Sequence, residues 1–308
     1  MQKLQKRYGI AEWYGADFTR LSPEQRQKAT EQTTRPCPFL SKQNHPVSCS
    51  KLGGVCSIRE YQRSENGRIS AAGTIRATCP NRFEEGGLIY QWIGEILLNS
   101  SKAIPIGQVN FLERVPLARV AHESANLDIE GREGVGRIDN VMIVPDTAPL
   151  QWCPVEIQAV YFSGDAMAKD FAAIRRHRTD EIPFPAGKRR PDYRSSAPKR
   201  LMPQLQIKVP TLRRWGKKMG VVVDEDFFNA MGRINTVPDL SNCDVAWFVV
   251  RFDDRCRLTR ENVLFATLEE SVQGLIAGKP VSQSVFEGRI QRKLAHLRSE
   301  PGQVSPNE

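Results

Sequence analysis

Two apolar runs, GVGRIDNVMIVPD (134–146) and LQWCPVEIQAVYFSG (150–164), constrain this chain more than any other feature. Both are rich in Val, Ile and aromatic residues and are bounded by Gly, Pro and Asp, the marks of buried strands. The APLQW link between them is short enough for the two to pair as a hairpin-like unit. Each run nevertheless carries acid. Side chains two apart on a strand share a face. Asp139, Val141 and Ile143 therefore face one way, and Glu156 and Gln158 share a face, with Val155, Ile157, Ala159 and Tyr161 on the other. If the strands pair, Asp139 and Glu156 converge at one end. Two close carboxylates repel, and burying both costs several kcal/mol unless a cation lies between them. Hard oxygen ligands suit Mg²⁺, which keeps open positions for phosphate oxygens and supports phosphodiester hydrolysis. From spacing alone, a surface role for Asp139 and an edge role for Glu156 stay open.

The remaining segments supply a setting for these strands. FEEGGLIYQWIGEILLN (83–99) has Leu88, Trp92, Ile96 and Leu97 at helical spacing. IPIGQVNFL reads as a strand, and PLARVAHESAN is ambiguous. SGDAMAKDFAAIRRHR reads as a short helix, EIPFPAGKRRPDYRSSAPKR as a loop, and KRLMPQLQIKVPTLRRWGKKMG as a helix interrupted by Pro203 and Pro210. CDVAWFVVRFD is a buried strand. NVLFATLEESVQGLIAG is a strand or turn followed by a helix that Gly278 closes, and SQSVFEGRIQRKLAHLRS is a last, basic helix. Near the N-terminus, SPEQRQKATEQ reads as a helix capped by Ser22. The order predicts an α/β fold with a mixed central sheet flanked by helices.

Charge is unevenly placed. The chain of 308 residues carries +9 overall, yet residues 175–218 hold fourteen Lys/Arg against Asp180, Glu181 and Asp192. That segment therefore has a surplus of +11, more than the whole chain. Such a block suits a phosphate backbone, because each neutralised phosphate releases counterions. Nucleic acid is the partner expected from this charge, with an acidic protein or a membrane surface as the other readings; the family resemblance below makes it double-stranded DNA. Lys188, Arg189, Arg190, Arg194, Lys199, Arg200, Arg213 and Arg214 are the expected contacts, most of them to phosphates and some to guanine edges. No apolar run approaches the ~18 residues of a membrane span, and no signal-like h-region opens the chain, so a cytoplasmic protein with no membrane association is expected.

Four of seven cysteines, Cys37, Cys49, Cys56 and Cys79, cluster in a stretch with Gly, Pro, Ser and Asn between them. Cytosolic disulfides are rare. Two readings stay open: free thiols, or a structural tetrahedral thiolate site for Fe or Zn that staples a region poor in core residues. His45 lies between these cysteines and is read as a loop residue. Cys153, Cys243 and Cys256 read as buried free thiols.

An Asp followed by apolar residues, then Glu-X-Lys on the next strand, is the mark of the PD-(D/E)XK nuclease superfamily; this chain has Gln158 in place of the Lys. VEIQ followed by an aromatic residue and SG, with CPFL…SC…GVC…CPNR upstream, resembles the NotI restriction endonuclease family. PQLQIKV and DVAWFVVRFD extend the likeness over roughly residues 35–255. The resemblance implies a restriction-endonuclease-like fold. Asp139 and Glu156 would bind catalytic Mg²⁺ with the carbonyl of Ile157, and Gln158 would stand where most members place the water-orienting lysine. Asp139 is preferred to Asp146, which falls in the loop. Glu95 is a further catalytic candidate, because superfamily members often carry an acid on the first helix; a plain helix-surface acid is the other reading. Lys169 and Lys208 are candidates to help activate water, and Gln204 to support the site. The family also implies that the four cysteines hold a metal, with iron expected.

The domains expected are an arm (1–36), a four-cysteine metal-binding domain (37–82), a nuclease domain (83–298) and a disordered tail (299–308). The function expected is that of a type II restriction endonuclease, Mg²⁺-dependent and acting on a palindromic duplex site as a homodimer. Two rivals are a repair or recombination nuclease of loose sequence preference and a non-catalytic, metal-stabilised DNA-binding regulator.

Overall fold

The computed structural model describes residues 4–31, 35–41, 45–51, 53–112, 136–278 and 281–299, the last three by backbone alone. Residues 1–276 form one compact body, and residues 277–308 are a second unit.

The first strand, β1 (Gln5–Trp13), pairs with the short β2 (Ala16–Asp17). Helix α1 (Pro23–Glu31) follows. Ser22 caps it as expected: its Oγ accepts the N–H of Gln25, whose side chain accepts the N–H of Ser22. Strands β3 (Val55–Arg63) and β4 (Ile69–Ala77) complete an antiparallel sheet in the order β2-β1-β3-β4. The expected arm is therefore corrected: it contributes a strand that runs beside β3 from Gln5↔Arg63 to Trp13↔Val55. The cysteine region is not core-poor either. Ile10, Trp13, Val55, Ile58 and Tyr61 pack together on one side, while Ala11, Ile75 and Ala77 join the main core. The Arg, Glu and Gln interspersed along these strands hid them from a reading by apolar runs.

Helix α2 (Leu88–Leu97) lies within the expected helix. The expected strand IPIGQVNFL is two short pieces, β5 (Ile104–Pro105) and β6 (Val109–Asn110), separated by Gly107 at φ 84°. PLARVAHESAN falls outside the described residues. Next come β7 (Arg137–Ile138), which pairs with β6, and β8 (Asn140–Val144), which stops before Pro145. Then follow β9 (Gln151–Ile157), β10 (Phe162–Gly164) and α3 (Ala168–Arg176). The segment read as a basic loop has structure: β11 (Arg189–Pro191) pairs with β10, and Asp192 caps α4 (Tyr193–Ser196). A further turn leads into α5 (Met202–Arg214).

Strand β12 (Met219–Asp224) was not expected. It is buried along its whole length between β9 and β13 (Val245–Phe252), parallel to both. A parallel strand covered on both faces shows no alternation, and its apolar run is short. Helix α6 (Glu225–Ala230) follows β12, and β14 (Leu258–Ala266), α7 (Leu268–Ile276) and α8 (Gln283–Ser299) close the order. The tail expected beyond α8 lies outside the described residues.

The central sheet runs β14-β13-β12-β9-β8-β5 and is mixed, as expected. Alternation sends Val155, Val222, Phe248 and Val250 toward α2, where Ile89, Tyr90, Trp92 and Ile93 pack. It sends Val221, Val223, Trp247 and Val249 toward Leu205, Val209 and Leu212 of α5. Among the described residues no helix is long and apolar enough to cross a membrane.

Candidate active site

The β8–β9 hairpin aligns Asn140 with Val155, so Asp139, just before β8, stands opposite Glu156. On its other side Glu156 aligns with Val221 of β12. Glu156 therefore points to the α5 face, the side on which Val221 packs. The helix meets it with a charge. Leu205, Val209 and Leu212 define the inward stripe of α5, and Lys208 lies within that stripe. Glu156 is 1% exposed and Lys208 0%.

The bonding is asymmetric. Lys208 Nζ donates to Glu156 Oε1 at 2.6 Å, to Gln204 Oε1 at 2.5 Å, and to the Arg137 carbonyl. Asp139 Oδ2 accepts the N–H of Ile157 at 3.0 Å. Glu156 Oε2 is buried with no hydrogen-bond partner among the described residues. Burial first, and then the charge of Asp139, push the Glu156 carboxyl up to about 8, against the pull of Lys208. A buried carboxylate with one orphaned oxygen beside a second carboxylate is a site that a hard cation relieves.

Of the expected residues, the structure brings together Asp139, Glu156, Gln204 and Lys208. Gln158 stands just past the end of β9, and its side-chain amide donates to the carbonyl of the next residue, Ala159, at 2.6 Å. Glu95 is not gathered into this network: it pairs at 2.8 Å with Arg260 on edge strand β14. Lys169 pairs with Asp165 at the surface. A different acid lies on the α2 side. Tyr90 donates to Glu84 at 2.6 Å and accepts from the Asn140 amide at 2.7 Å, directly beside Asp139. Burial raises the Glu84 carboxyl, opposed by the Tyr90 bond. No spacing rule marks Glu84, because it precedes the helix and reaches the site through Tyr90.

The basic residues divide. Arg189 departs from the expected exposed contact: the residue is 8% exposed and its guanidinium is held by Asp170 and by the carbonyl of Tyr8, so it braces β11. Arg213 is paired with Asp244 and Glu269. Lys188, Arg190, Arg194, Lys199, Arg200 and Arg214 are exposed and make no ion pair among the described residues. Arg200 lies over the Tyr161 ring at 5.1 Å, close in sequence to Gln158.

Cys37, Cys56 and Cys79 are buried and Cys49 is half-buried. The Cys37 and Cys49 segments bond to each other through Cys37 N–H to Val47 and Cys49 N–H to Arg35, and Cys79 N–H reaches the Cys56 carbonyl at 3.3 Å. Burial raises the Cys56 and Cys79 thiols. Among the described residues no three His, Cys, Asp or Glu side chains are grouped as a metal cluster.

A family model described as Restriction endonuclease NotI matches residues 21–262. No curated protein is significantly similar to the chain.

Proposed function

The chain belongs to the restriction endonuclease NotI family, which makes it a type II restriction endonuclease acting on DNA, and from that premise we propose that Asp139 and Glu156 form a Mg²⁺-dependent centre of the PD-(D/E)XK kind. The observation that carries the reading is the Oε2 of Glu156, which is buried with no hydrogen-bond partner among the described residues and lies beside Asp139. Mg²⁺ held by Asp139 and Glu156 would polarise the scissile phosphate and acidify a water. The protein's own groups do the positioning. The Ile157 N–H orients Asp139, and Lys208 fixes Glu156. Gln158 can hold a water by hydrogen bonds, but an amide cannot take its proton. The exposed Lys188, Arg190, Arg194, Lys199, Arg200 and Arg214 would bind phosphates and set the duplex against the site.

A palindromic target read by a homodimer follows from the same premise, since a two-fold site calls for a two-fold protein. Cytoplasmic action on DNA fits it as well. Incubating purified protein with plasmid and Mg²⁺ should give discrete fragments. A smear would favour a nuclease of loose preference, and intact DNA would remove the catalytic assignment.

The four cysteines are proposed to hold a structural Fe or Zn ion. The support is the burial of Cys37, Cys56 and Cys79 and the backbone bonds that join the Cys37 and Cys49 segments and link Cys79 to Cys56. Cys56→Ser should lower bound metal, measured by elemental analysis, together with Tm; a full metal load would show that the ligand set is wrong.

A further inference from the structure

Resting on the reading of Asp139 and Glu156 as a metal centre, we propose that Lys208 is a positioning residue that restricts the centre to one divalent cation. An ammonium has three N–H donors, and Lys208 directs all three into the protein: to Glu156 Oε1 at 2.6 Å, to Gln204 Oε1 at 2.5 Å and to the Arg137 carbonyl. With the side chain wholly buried, it cannot swing into solvent. The three acceptors come from β9, from α5 itself and from β7, so the packing of two elements against α5 holds the ammonium in place.

Two consequences follow for Glu156. Oε1 is taken by a fixed positive charge, so a cation meeting this carboxylate is left with Oε2, the oxygen that has no partner among the described residues. A second divalent ion on Oε1 would lie against the Lys208 ammonium, where low dielectric strengthens the repulsion. Charge counting agrees. With a cation bound and both carboxyls ionised, Asp139 and Glu156 together carry −2, and Lys208 reduces this to −1. One divalent ion leaves +1 for a phosphodiester to neutralise, whereas two would leave +3. Among the described residues no third His, Cys, Asp or Glu is grouped with them to offset that excess. Lys208 also differs in role from a lysine that touches the attacking water, because none of its donors remains available.

Equilibrium dialysis of the full chain with Ca²⁺, which thiolates bind poorly, counts the sites directly. One equivalent should bind, and Glu156→Ala should remove it. Two equivalents, both lost in Glu156→Ala, would overturn the proposal while leaving the metal centre intact. No binding at millimolar Ca²⁺ would overturn the centre itself. Lys208→Met vacates the ammonium at similar length. If circular dichroism shows it folded, more than one equivalent should bind; an unchanged count of one would reduce Lys208 to a packing residue and sink the claim. If Lys208→Met does not fold, the count on the unaltered chain decides.

Discussion

Among the buried carboxylate–cation pairs of the described residues, two with nearly the same burial differ in one respect. Glu12 on β1 and Arg82, before α2, are 1% and 0% exposed, much like Glu156 and Lys208. Around Glu12 one oxygen gathers two donors, and neither Glu12 oxygen is a buried atom without a partner among the described residues. Its Oε2 accepts from Arg82 Nε at 2.6 Å and from the Ser57 hydroxyl at 2.6 Å. Arg82 also reaches Glu85 at 2.8 Å and the Cys256 carbonyl, and its guanidinium lies between the rings of Phe39 and Phe252. That pair ties the four-stranded sheet to the end of the central one. Around Glu156 one oxygen is orphaned and a second carboxylate stands opposite. Burial and pairing are thus common to both; an unsatisfied oxygen distinguishes the place where an ion can act.

The contrast breaks if substitutions at the two pairs behave alike. Glu156→Gln should lower cleavage by roughly 10³-fold or more in protein that is still folded, because a metal ligand supplies several kcal/mol to the transition state. Arg82→Met should do the reverse. It leaves Glu12 buried and uncompensated, at a cost of about 3–5 kcal/mol in stability, while cleavage per folded molecule stays near normal. Denaturant titration beside plasmid digestion separates the two outcomes, and equal losses of activity at both would erase the distinction.

A second contrast, between exposed and braced arginines, should give a smaller effect. Arg200→Ala should reduce the salt slope of DNA binding by about one. Arg189→Ala should leave that slope unchanged and lower Tm instead, since Asp170 loses its partner. An unaltered slope for Arg200→Ala would remove Arg200 from the DNA face.

The smallest effect concerns Asp224 at the end of β12, whose two oxygens accept the N–H groups of Phe227 at 2.8 Å and Ala77 at 3.1 Å. Burial pushes its carboxyl up to about 7, with Asp226 adding to the rise and Arg76 opposing it. A carboxyl raised in the folded state stabilises the fold fully below its unfolded value, and this contribution is lost as pH rises through about 7. Between pH 6 and 8 the loss is about 1 kcal/mol, or roughly 2–4 °C in Tm. Asp224→Asn should flatten that part of the Tm–pH curve, and an unchanged slope would refute the assignment.

Much of this was legible in residue order. The pairing of Asp139 with Glu156 followed from period-two alternation and a short link, and β8 and β9 meet in that register. The Ser22 cap followed from local chemistry. Glu95 illustrates the limit. Helical spacing put an acid on α2 but could not tell which strand that acid would meet, and Arg260 holds it. Glu84 was missed because its route to Asn140 passes through a tyrosine six residues away. In sequence Arg189 resembles every other arginine of the basic block; only the fold sets Asp170 beside it.

The sequence by itself determined the α/β class, the acid pair on adjacent strands, the excess of positive charge that follows them, and the family. These depend on periodicity, composition and local order, which a linear chain carries. Only the tertiary structure decided that β12 separates β9 from β13, that the N-terminal segment is a sheet strand, and that Lys208 occupies one oxygen of Glu156 and leaves the other. Each of those outcomes is a contact between residues distant along the chain, 52 positions apart for Lys208 and Glu156. Such contacts are set by which faces must be buried together rather than by any local signal.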